Sequence, residues 1–133
     1  MKEEYISFEQ AVKLKELGFD WKTYDYYYGK DRKFHQSIPL DHNGNDGGRK
    51  ECCSAPTLAF AQKWLREKHC LSVEPICNMV RQWNVNVCEI DNFGIAVYSK
   101  MNLETYELAL SAGIDAALKE LTDKLKNSLQ DKE

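Results

Sequence analysis

Thiols and imidazoles are the first residues in this chain with chemistry to offer. The cysteines are Cys52, Cys53, Cys70, Cys77 and Cys88, and the histidines are His35, His42 and His69. Cys52-Cys53 and His69-Cys70 stand at the two ends of one helix-forming stretch. Structural zinc sites space their ligands two to four residues apart, so that one turn carries two of them. Adjacent pairs do this poorly, and a straight helix between the pairs would hold them roughly 20 Å apart at ~1.5 Å per residue. Small packed or half-packed thiols are the simpler reading, so neither a metal nor any other cofactor is expected. A thiol nucleophile would need a low-pKa cysteine beside a histidine that a third group orients. The spacing selects no such pair, so no catalytic residue is assigned and the chain is not expected to be an enzyme. Asp41, Asn43 and Asn45 match the opening ligands of a calcium loop, but Asp46 stands where that loop needs glycine and Cys52 where it needs glutamate. A polar loop over 41–50 is the expectation.

Aromatic and basic residues interleave in WKTYDYYYGKDRK, from Trp21 to Lys33. Single-stranded nucleic acids are bound by aromatic rings on strands flanked by positive charge. The competing explanation is a half-buried hairpin, with one tyrosine face in the core and cross-strand pairing on the other. Net charge favours the second. The chain carries 18 basic and 21 acidic residues for a net charge of −3, whereas nucleic-acid binding draws most of its affinity from a basic excess. The candidate binding surface is therefore Tyr26, Tyr27, Lys30, Arg32 and Trp83, offered first to a protein partner or a second copy of the chain. Single-stranded nucleic acid, bound through the hairpin from Tyr24 to Lys33, is the alternative.

The elements that must position these groups follow from periodicity. Ser7-Phe8-Glu9-Gln10 is a capping box, Ala11, Val12 and Leu17 continue the pattern, and Gly18 is the expected stop. A helix is predicted over 7–17, with Ile6 packing on Ala11 and Phe19 folding back on its end. Trp21–Tyr28 and Phe34–Leu40 read as a hairpin. A helix over 55–69 follows, with Ser54 as its cap and Pro56 in its first turn. Its apolar face is Leu58, Ala61, Trp64 and Leu65. Val73–Met79, Val85–Ile90 and Ile95–Ser99 read as strands, with Pro75 marking an edge or a bulge. A last helix over 102–126 carries a stripe from Leu103 through Leu110, Ile114 and Ala117 to Leu125. Gly113 inside it costs up to ~1 kcal/mol against alanine, which points to the close approach of a neighbour. Residues 127–133 are polar and expected to fray.

Three of these segments carry a resemblance. YISFEQAVKLKELGFD, APTLAFAQKWLREKH and TYELALSAGIDAALKEL resemble a group of small uncharacterised proteins of gut Bacteroidetes genomes, often in phage or prophage neighbourhoods. The resemblance covers most of the chain outside 41–50. It implies an α+β domain of mobile-element origin and carries no activity with it.

Length and composition bound the rest. A chain of 133 residues with 43% hydrophobic and 29% charged residues reads as one soluble domain over 1–133. No apolar run has the ~18 residues of a membrane span, the opening residues lack an apolar signal core, and an odd number of cysteines fits reduced thiols in the cytoplasm. The expected class is α+β: a small, mainly antiparallel sheet of three to five strands packed against three helices. The expected role is a non-enzymatic accessory or interaction protein.

Overall fold

The computed structural model describes residues 4–21, 23, 25–28, 33–36 and 52–130. It is α+β, with three helices and two three-stranded antiparallel sheets among the described residues. The chain divides into two compact units, Met1–Thr57 and Leu58–Glu133.

The first unit is built on a short, doubly capped helix, α1 (Phe8–Glu16). The capping box forms in full: the Gln10 N–H donates to Ser7 Oγ at 3.1 Å, and the Ser7 N–H donates to Gln10 Oε1 at 2.8 Å. Gln10 is buried, and its amide oxygen satisfies the backbone donor of the cap residue. Ile6 and Ala11, the expected staple pair, are both buried. At the other end Gly18 turns left-handed at φ 88°. The Phe19 N–H then reaches Leu14 O at 2.9 Å and the Gly18 N–H reaches Lys15 O at 3.1 Å, the paired bonds of a Schellman stop. Phe19 and Leu14, which that motif brings together, are both buried.

The unit's sheet has the order β2 (Lys33–Gln36), β1 (Asp25–Tyr28), β3 (Cys52–Ser54). Strand β3 was not expected, and it corrects the reading of its residues. Ser54 pairs with Tyr26 in the sheet and does not cap a helix. Pro56 precedes the helix and lends its carbonyl to the Ile6 N–H at 3.2 Å. The expected loop at 41–50, with Asp41, Asn43 and Asn45, lies outside the described residues, as does the second half of the strand expected at Phe34–Leu40.

The second unit runs α2 (Leu58–His69), β4 (Leu71–Cys77), β5 (Trp83–Glu89), β6 (Ile95–Leu103), α3 (Tyr106–Gln130), with sheet order β4-β5-β6. Alternation decides its layers. Leu71, Val73, Val85 and Val87 are buried, while Ser72, Glu74, Asn84 and Asn86 point the other way and keep contact with solvent. Both helices lie on the valine face. From α2 come Leu58, Ala61, Trp64 and Leu65, all buried and all on the face the periodicity marks. Cys70 ends that helix in the left-handed region, φ 54°, and starts β4 in the next residue.

Helix α3 starts later than its stripe suggests. Asn102 belongs to β6 with φ 63°, and Thr105 caps the helix, its Oγ1 accepting the Leu108 N–H at 3.0 Å. The helix then runs through Gln130, past the expected end at 126. Ala109, Gly113 and Ala117 form a buried row of small residues at four-residue spacing, flanked by buried Leu110, Ile114 and Leu118. A Cβ placed on Gly113 would meet Val73 Cγ1 at 2.5 Å and Val85 Cγ2 at 2.7 Å. The helix backbone therefore rests directly on the two valines.

Two mutational tests follow. Trp64 is 2% exposed, so Trp64→Ala should cost ~3–5 kcal/mol, while Lys63→Ala on the solvent side should stay within about 0.5 kcal/mol in urea denaturation. Gly113→Ala should destabilise by about 1 kcal/mol or more, because overpacking at ~1–3 kcal/mol outweighs a helix-propensity gain of up to ~1 kcal/mol. In a Val73→Ala background the same change should lose part of its cost, the Val85 contact remaining; strictly additive effects in that double-mutant cycle would show that the helix does not rest on Val73.

Candidate functional site

The tyrosines of β1 alternate faces, so Tyr26 and Tyr27 do not form one surface. Tyr27 is engaged inside its own unit. Its hydroxyl donates to the Ile6 carbonyl at 2.6 Å. Its ring meets Phe8 edge-on at 5.8 Å and its cross-strand partner Phe34 at 5.8 Å, and Phe34 in turn meets Tyr5 at 4.7 Å. Burial pushes the Tyr27 phenol above its ordinary pKa, and the nearby Glu9 carboxylate adds to the shift. Tyr26, half-buried, sits between His35 and Ser54 in register. Lys30 and Arg32 lie outside the described residues. Trp83 belongs to the second unit, where it opens β5 and sets its ring edge-on to Tyr106 at 5.2 Å.

What the second unit leaves at its surface is more informative. Ile76, Met79, Val80, Ile90, Phe93, Ile95, Val97 and Met101 are exposed, and all belong to the β4-β5-β6 sheet or its turns. The two turns stand at opposite ends of the sheet, and each carries an apolar tip. Met79 and Val80 crown the β4–β5 turn. That turn is braced from within by Asn78, whose Oδ1 accepts the Val80 and Gln82 N–H groups, both at 3.0 Å. The Asn78 amide nitrogen reaches Asn84 Oδ1 at 2.9 Å and Asn102 Oδ1 at 3.0 Å, tying the turn to β5 and β6. Phe93 crowns the β5–β6 turn. It is 100% exposed and left-handed, with φ 58°. Turn tips are normally Gly, Asn, Asp or Ser. The sequence does carry the signal, as NMVRQ and DNFG each place an apolar residue where turn chemistry would not.

Two of the thiols sit where the thiolate is disfavoured. Among the described residues Cys53, Cys70, Cys77 and Cys88 are free thiols. A hydrogen bond to Asp91 holds the Cys70 thiol above its ordinary pKa, with burial and the aspartate charge adding. Burial raises Cys88, helped by the Glu74 carboxylate, whose Oε2 accepts from the thiol at 3.6 Å. Both shifts disfavour the reactive thiolate. His69 caps the run of α2 with its ring edge-on to Trp64 at 4.6 Å, and burial lowers its pKa. Among the described residues no three His, Cys, Asp or Glu side chains gather closely enough to hold a metal ion. No helix among them is long and apolar enough to cross a membrane.

The chain matches no family model, no curated protein sequence and no solved structure.

The thiol environments are directly testable. Glu74→Gln removes the charge facing Cys88, so the Cys88 pKa should fall and its alkylation by iodoacetamide at mildly alkaline pH should speed up. Cys70, which answers to Asp91, should keep its rate in the same peptide-resolved mass-spectrometric assay. Equal acceleration of both thiols would mean that the variant loosens the sheet and does not act through the carboxylate.

Proposed function

We propose that this chain is a non-enzymatic accessory or interaction protein of phage or mobile-element origin, and that it binds a protein partner through the β4-β5-β6 sheet of its second unit. The observation that carries this reading is Phe93. A phenylalanine in the left-handed region is strained, because its Cβ crowds the backbone. Full exposure of its ring adds a second cost without any packing return. Asn92 and Gly94 stand on either side, residue types that would hold the same φ more cheaply. Strain kept at the surface points to use. Met79 and Val80 support the same reading, since a braced turn presents them with little ordering left to lose on binding.

The mobile-element origin rests on the resemblance of APTLAFAQKWLREKH and its companion segments to the Bacteroidetes and phage group. The nucleic-acid alternative asks the tyrosines of the Tyr24–Lys33 hairpin for stacking faces, and of these the Tyr27 ring is already engaged edge-on with Phe8 and Phe34. The cytoplasm is the compartment that free thiols fit.

Phe93→Asn should hold or raise the melting temperature, since it relieves a left-handed phenylalanine. In-cell crosslinking in a gut Bacteroidetes host, with the products identified by mass spectrometry, should recover a partner with the wild-type chain and lose it with Phe93→Asn or Met79→Ser. Anisotropy titrations with labelled single-stranded DNA and RNA should show no salt-sensitive binding. A partner retained equally by both variants would remove this surface from the function. Salt-sensitive micromolar binding that Tyr26→Ala abolishes would install the nucleic-acid reading in its place.

A further inference from the structure

We draw no further inference here: the strongest candidate, the exposed apolar patch of Ile76, Met79, Val80 and Met101 at the β4–β5 turn end of the sheet, belongs in part to the surface already described, and nothing in the structure shows what covers it.

Discussion

The second unit depends on one close approach, the backbone of α3 lying on the γ-methyls of Val73 and Val85 at Gly113. β-Branched side chains have almost no rotamer freedom with which to yield, so the helix must present nothing there. Ala109 and Ala117, one turn to either side, keep the approach open along the helix, and Leu110, Ile114 and Leu118 fill the flanks. With the helix that low, the valine face of the sheet is saturated by α3 and α2 together. The unit's remaining surfaces are the other face of the sheet, its edges and turns, and the solvent sides of the two helices, where Leu108 and Leu125 of α3 are exposed. Any binding capacity it has must be located on those.

Where the sequence was legible, the physics was local. Ser7 and Gln10 bond over three residues, and Gly18 and Phe19 end a helix by bonds that span a single turn. The α2 face of Leu58, Ala61, Trp64 and Leu65 follows from periodicity alone, and a glycine in mid-helix marks the close approach of Val73 and Val85. What was not legible depends on pairing at a distance. Strand β3 is three residues long, carries Cys-Cys-Ser and has no alternation to reveal it; β1 makes it a strand, from far up the chain. That pairing also moved Ser54 and Pro56 out of the helix start. The beginning of α3 was misread for a related reason. Leu103 fits the helical stripe, but its partner is Trp83 in the sheet, so a tertiary contact overrode a periodic pattern.

The aromatic hairpin shows how residue type underdetermines role. A stacking platform and a packed cross-strand cluster call for the same tyrosines at the same alternation. The difference lies in what the phenol does. Tyr27 gives its hydroxyl to the Ile6 carbonyl and sets its ring in edge contacts with Phe8 and Phe34, and no property of the string DYYY encodes that the segment from Tyr5 to Phe8 would lie alongside it. Trp83 is a parallel case: a tryptophan at a strand end, conspicuous as a binding residue, that packs its ring against the first residue of α3. Tyr27 and Trp83 are spent on structure, while Phe93, in a turn, leaves its ring in water.

That inversion bears on how a small unit acquires a binding surface. A core this size leaves little stability to spare, so side chains that bind tend to be those whose loss the fold would not feel. Met79, Val80 and Phe93 satisfy this: none is buried, and the turns that carry them are held by Asn78 on one side and by the Gly94 N–H to Glu89 carbonyl bond at 3.0 Å on the other. The Asn78 brace reaches Asn102, the left-handed residue from which the chain leaves β6 for Thr105 and α3. The Met79 tip is thus fixed to the strand β6 as well as to β5. A load on the tip would therefore be felt by β6 and, through Asn102, at the start of α3.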